Sequence, residues 1–161
     1  MTTIVVHGNK IAADTQSTYG DGRKVPCCKL YRKKVTVRDE VWEVIIGTAG
    51  GDYAGELFVH WYDGTDKPRP EVFGDITPDE DFECILLHPD GVFTVNRFCL
   101  PVRQLGDFVA VGSGAKAAIA AMKAGADVKR AVEIARELDC WTGGVIQVME
   151  GPTRLSKVSR K

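Results

Sequence analysis

The chain of 161 residues is 44% hydrophobic and 27% charged, enough apolar material for a single domain with a real core. Its 21 basic and 22 acidic residues leave a net charge of −1, which argues against nucleic-acid or membrane-surface binding through bulk charge; the basic ending "TRLSKVSRK" reads as a solvated terminus. No run approaches the ~20 apolar residues that span a bilayer, and "IVVHGNK" lacks the apolar region and cleavage site of a signal peptide, so a cytoplasmic chain without a leader is expected. Five cysteines, odd in number and without C-x-x-C, read as reduced thiols. The three histidines share no ligand spacing with them, so neither a metal nor a cofactor is expected.

In chain order, "TTIVVH" (2–7) and "KIAAD" (10–14) read as strands joined by the two-residue turn Gly8-Asn9. "KVPCCKLYR" and "VWEVIIGTAGG" each read as a strand, with a polar turn at Arg38-Asp39-Glu40. "DYAGELFVHWYDG" has helical apolar spacing and stops at "GTDKPRP", where glycine and proline end a helix. "FECILLH" and "VFTVNRF" form a hairpin about Pro89-Asp90-Gly91, and "DFVAVGSG" is a strand entering a Gly-Ser-Gly turn. The helix "AKAAIAAMKAG" ends at Gly125, and Asp127 caps the next one. In that helix, "DVKRAVEIARELD", Val128, Ala131, Val132, Ala135 and Leu138 share a face, with Lys129–Glu133 as an outer i,i+4 pair. "GGVIQVM" and "TRLSKV" finish as strands. The segregated order predicts an α+β fold, one domain over 1–161, with helices on a largely antiparallel double sheet.

"VAVGSGAKA" satisfies G-x-G-x-x-A after a strand, the local form of a dinucleotide-binding turn. It begins at Gly112, too near the end for the βαβαβ half it should launch, and the acidic residue ~20 positions on, Glu133, falls inside a helix. A tight strand-to-helix turn with Ser113 at its apex is the better reading.

The first residues have a chemical reading as well. Loss of Met1 would leave Thr2 with a nucleophilic hydroxyl and a free α-amine on one carbon. An N-terminal amine can serve as the base that such a hydroxyl needs. Its reference pKa of ~7.7–8 needs only a modest downward push to make it a neutral base, and a nearby lysine cation supplies one. A carboxylate must hold that lysine, and a backbone N–H must meet the tetrahedral oxyanion. Taken singly, Asp14, Lys29, Ser113, Asp139 and Thr142 read as ordinary turn, strand or helix-end residues.

Their order is more informative. "TTIVV…AADTQST…CCKLYR…GTAGG…VGSGAKAA…ELDCWTGG" resembles the proteasome β subunits and the HslV-type peptidases, a family of N-terminal nucleophile hydrolases. The resemblance implies a four-layer αββα sandwich and a threonine endopeptidase. Thr2 would be the nucleophile, Asp14 the carboxylate that orients Lys29, and Gly50 the oxyanion donor. Ser113, Asp139 and Thr142 resemble the group around the amine, with threonine where the family usually has serine. Thr18 resembles a residue that pairs with the substrate main chain as an added strand. Ser17, Cys27, Tyr31, Thr48, Asp52 and Glu56 match the main specificity pocket, and two acids with no cation among them predict a basic side chain before the scissile bond. Thr3 is expected to be ordinary strand.

Two departures bear on partners. The family's second helix after "AGG" is missing or reduced, so that layer is smaller and argues against an ATPase unfoldase partner, whereas a homo-oligomeric ring acting on peptides or unfolded proteins is implied. The stretch from Lys29 to Gly50 is longer than usual, which predicts an extended hairpin about Arg38–Val41. Two other readings stay open on sequence: a catalytically inactive structural or binding subunit that keeps Met1, and a small-molecule amidase using the same nucleophile.

Overall fold

A computed structural model gives the fold; it describes residues 2–65, 67–77 and 81–157, with only the main chain at Asp52. The first sheet has four antiparallel strands. β1 (Thr3–His7) lies between β10 (Phe108–Gly112) and β2 (Lys10–Ala13), and β11 (Gln147–Glu150) completes it beyond β2. The second is built on β6 (Glu40–Gly50), which pairs along one edge with β5 (Leu30–Val37). Its other edge takes β12 (Thr153–Lys157) and then β7 (Phe82–His88), followed outward by β8 (Gly91–Asn96) and β9 (Val102–Gln104). A small ribbon, β3 (Gln16–Thr18) with β4 (Lys24–Pro26), stands apart.

Alternation along the strands sorts the apolar residues into three clusters. Ile4, Val6 and Ile11 of the first sheet meet Ile45, Ile85 and Leu87 of the second. Val5 and Ala12, pointing the other way, pack against α2 (Ala115–Lys123) and α3 (Val128–Leu138). Val44, Ile46, Cys84 and Leu86, on the second sheet's far face, pack against α1 (Asp52–Trp61) through Ala54 and Phe58. Strand β1 is thus buried on both faces, which is why Ile4, Val5 and Val6 run on without a polar residue between them. Residues on α1's side also include Phe73, on a 3-10 turn at Glu71–Gly74, which packs with Phe58 on Phe82 at ring distances of 5.8 Å. The fold is α+β, as the element order predicts, and among the described residues α1 and that turn are the helical cover of this face.

Several local expectations need correction. "KVPCCKLYR" is not one strand: it breaks at residues 27–29, where the Cys27 N–H donates to the Thr15 carbonyl (2.8 Å) and the Lys29 N–H to the Gln147 side chain (3.2 Å). The short strands β3 and β9 have no counterpart among the expected elements, since three-residue pairings carry almost no periodicity. Leu138 is 74% exposed instead of sharing the buried face of Val128, Ala131, Val132 and Ala135, because α3 ends there and the chain turns away at Asp139. On the outer side of α3, Arg130 pairs with Glu133 (3.1 Å) and Glu137 (3.8 Å), in place of the expected Lys129–Glu133 pair. Arg38 and Asp39 take positive φ in the predicted extended hairpin. Residues 78–80, in the stretch where the reduced second helix is expected, lie outside the described residues.

Candidate active site

The site begins with a buried ion pair. Asp14 follows β2 and is fully buried, and Lys29 precedes β5 with 2% of its surface exposed. The Lys29 ammonium lies 3.1 and 3.2 Å from the two Asp14 oxygens and also donates to the Gln16 carbonyl. Three main-chain N–H groups point at the same carboxylate: Thr3 to Oδ1 (2.9 Å), and Gln16 (3.1 Å) and Gly143 (2.9 Å) to Oδ2. A buried charge is stable only when paired and hydrogen-bonded, and this one meets both conditions. The pair thereby ties β1, β2, the β5 entry and the Trp141–Gly144 loop to one point beside the start of the chain.

A second cluster lies at the end of α3. Asp139 Oδ2 accepts hydrogen bonds from Ser113 Oγ and Thr142 Oγ1, both at 2.6 Å, and Oδ1 accepts from the Trp141 N–H at 3.2 Å. Burial pushes the Asp139 carboxyl up, but these three donors outweigh it and hold it below the ordinary aspartate range. Ser113 also donates to the Thr2 carbonyl at 3.5 Å, so the cluster touches the predicted nucleophile's own residue.

Thr2 is 3% exposed and lines a cleft of about 420 Å³ together with Gly50, Glu83, Asn96, Gly112 and Ser113. Glycine is required twice on its rim. Gly50 closes β6 at φ +93°, where a side chain would stand 2.5 Å from the Asp81 carbonyl. Gly112 has φ +92°, and a Cβ there would lie 1.9 Å from the Thr2 carbonyl oxygen. Close main-chain approach at these two points puts Thr2 between the end of β6 and the β10–α2 turn.

Thr2, Gly50 and Ser113 thus share one cleft, Asp14 and Lys29 form one buried pair, and Ser113, Asp139 and Thr142 one hydrogen-bonded group. The residues expected on the substrate side, as far as they are described, are not among those lining that cleft. Ser17 and Thr18 are on β3, where Thr18 Oγ1 accepts from Gln16. Tyr31 donates its hydroxyl to Glu56 of α1 and to the Cys28 carbonyl. Burial first, then the hydrogen bond to Glu56 and its charge, raise the Tyr31 pKa, with Cys28 and Cys27 nearby. Thr48 packs beneath Gly55 of α1. The side chain of Asp52 lies outside the described residues.

Three participants escape the sequence motifs. Thr3 is more than strand: its Oγ1 lies 2.6 Å from Thr142 Oγ1, and a side chain on Gly114 would collide with it. Glu83 and Asn96 line the Thr2 cleft from β7 and β8. Burial raises the Glu83 pKa; the Gly112 N–H, donating to its carboxylate, opposes this and the charge of Asp81 adds to it. The sequence signal for both was the alternation of β7 and β8, which sends Glu83 and Asn96 out of the core next to Gly50. Among the described residues no group of three or more side chains could hold a metal ion, and no helix is long and apolar enough to cross a membrane.

No protein-family model matches the sequence, and no curated protein does. Solved structures do. The chain is similar to HslV from Trypanosoma brucei, at 20% identity and a TM-score of 0.59, over 93% of this chain and 99% of that one. It is similar to Thiobacillus denitrificans BPH in complex with epoxomicin, at 22% identity and a TM-score of 0.59, over 92% and 97%. Anbu, the ancestral beta-subunit, from Yersinia bercovieri superposes with a TM-score of 0.68 at 12% identity, over 99% and 84%. The likeness is one of fold, carried along more than nine-tenths of the chain, and the fold is that of the proteasome β-subunit and HslV-type proteins that the sequence motifs resemble.

Proposed function

We propose that this protein, once Met1 is removed, is a threonine-type endopeptidase with Thr2 as nucleophile. The observation that carries the reading is the buried Asp14–Lys29 pair, whose carboxylate also takes the Thr3 N–H directly beside Thr2. A lysine buried to this degree needs a reason, and lowering the proton affinity of an adjacent amine is one. The Thr2 amine takes the hydroxyl proton, and Oγ1 attacks the scissile carbonyl. The Gly50 N–H meets the oxyanion, and the Lys29 cation favours the charge that develops. The C–N bond then breaks, and the departing nitrogen takes the proton from the Thr2 ammonium. Water, deprotonated by the same amine, attacks the ester carbonyl; the acyl C–Oγ1 bond breaks, Oγ1 takes the proton back from the ammonium, and the acid product leaves. Asp139 holds the Ser113 and Thr142 hydroxyls where they can pass protons at the amine.

The order of apolar clusters, helices on the first sheet, sheet on sheet, then α1 on the second, supports a four-layer αββα sandwich. A homo-oligomeric ring would keep folded proteins from the site. One structural neighbour is the helical assembly of the Anbu complex from Pseudomonas aeruginosa (TM-score 0.66, 11% identity), which supports self-association. Glu56, with Asp52 one helical turn away in sequence, favours a basic side chain before the scissile bond. Hydrolysis of unstructured peptides by the Met1-free protein, lost in Thr2→Ala with the fold retained, tests the reading; a Thr2→Ala protein as active as its parent would refute it.

A further inference from the structure

The far wall of the Thr2 cleft has no part in the steps above. Strand β6 has two edges, and Gly50 sits at its end. The β5 edge carries Tyr31, joined to Glu56 of α1. The opposite edge carries β7 over Ile45–Gly50, with β8 beyond it. Glu83 and Asn96, register partners across β7 and β8, therefore lie on the other side of Gly50 from Tyr31. Both line the Thr2 cleft, and both also line an adjoining groove of about 230 Å³ with Phe98, Leu100 and Val102. Two hollows that share two residues make one path from Thr2 towards the β9 edge.

The chemistry changes along that path. Near Thr2 there are two carboxylates, but Asp81 is faced by Arg97 at 3.9 Å, whereas among the described residues no cation stands within ion-pair distance of Glu83. Farther out, Phe98, Leu100 and Val102 are 54%, 71% and 59% exposed within five residues of chain, an apolar ledge on an otherwise mixed surface. A peptide whose acyl part lies on the β5 side must carry its leaving part across Gly50 to this side.

We infer that the path receives the substrate residues that follow the scissile bond. Glu83 selects a lysine or arginine at the first of these positions, and the ledge of Phe98, Leu100 and Val102 selects an apolar side chain after it. This rests on the peptidase reading, and the test separates the two. Internally quenched peptides varied at the two positions after the bond are cleaved by the Met1-free protein, with the cut site read by mass spectrometry. The inference predicts kcat/KM about 5-fold higher for lysine than for glutamate at the first position, the scale of a partly exposed ion pair. That ratio falls to about 1 in Glu83→Gln and inverts in Glu83→Lys, and Leu100→Ser removes an apolar preference at the second position. Thr2-dependent cleavage with the same preferences in wild type and both Glu83 variants overturns the inference and leaves the peptidase reading standing. Absence of Thr2-dependent cleavage overturns both.

Discussion

At the scale of single residues, Lys29 depends on Asp14. Asp14→Ala leaves three main-chain N–H groups without their acceptor and removes the carboxylate that faces the buried Lys29 ammonium. Breaking a buried pair in this way costs about 3–5 kcal/mol, so the urea midpoint falls by a large fraction of the whole stability and peptide hydrolysis is lost. Asp139 makes a pH prediction. Its carboxyl is held below the ordinary value of ~3.9, so between that value and the lower folded one the unfolded chain binds more protons. Its contribution is complete above ~3.9 and is lost as pH falls through the folded value. The stability advantage of wild type over Asp139→Asn, read by urea unfolding, therefore narrows below about pH 4 and is unchanged between about pH 5 and 7. That Asp14 meets Lys29, Thr2 meets Gly50 and Ser113 meets Asp139 was legible only from motif order, since no local signal marks any of these residues singly. The Thr3–Thr142 hydroxyl contact, 139 residues apart, and the Glu83–Gly112 contact were not legible, since nothing local encodes the meeting of β1 with the loop after α3, or of the two sheets with each other.

At the scale of elements, two glycines with similar backbones should respond differently to a methyl group. Gly112 and Gly125 both have positive φ, +92° and +101°, but a Cβ meets the Thr2 carbonyl at 1.9 Å in the first and nothing within 4 Å in the second. Gly125→Ala bears only backbone strain of about 1–2 kcal/mol and should keep the proposed hydrolytic activity. Gly112→Ala must displace Thr2 and loses that activity along with thermal stability, a contrast that melting curves and a peptide assay resolve. Asp127 caps α3 by accepting from the Arg130 N–H at 2.8 Å, so Asp127→Ala lowers stability by about 1 kcal/mol in urea unfolding. That cap was legible because a short acid before an amphipathic run is a local signal. The break at Cys27–Lys29 was not: the chain leaves the strand there because its N–H groups find partners on Thr15 and Gln147, far away in sequence. The same break is what turns Lys29 inward.

At the scale of the whole molecule, three apolar layers stack on two sheets, and the site lies where the ends of β6, β1 and β10 meet at the mouth of the middle layer. The segregated order of strands and helices predicts that layering in outline, while the strand order of the second sheet, with β12 returning to β6, depends on the closing of the chain on itself. Self-association belongs to this scale: light scattering on the purified protein should give a mass of several times 17.6 kDa. With Met1 gone, Thr2 carries both hydroxyl and amine at the cleft, and intact mass after incubation with epoxomicin, an epoxyketone that needs both groups, reads this out. The expected product is a chain lacking Met1 that gains one inhibitor mass, a gain abolished in Thr2→Ala; a Met1-free chain that stays unmodified, or one modified equally in Thr2→Ala, refutes Thr2 as the nucleophile.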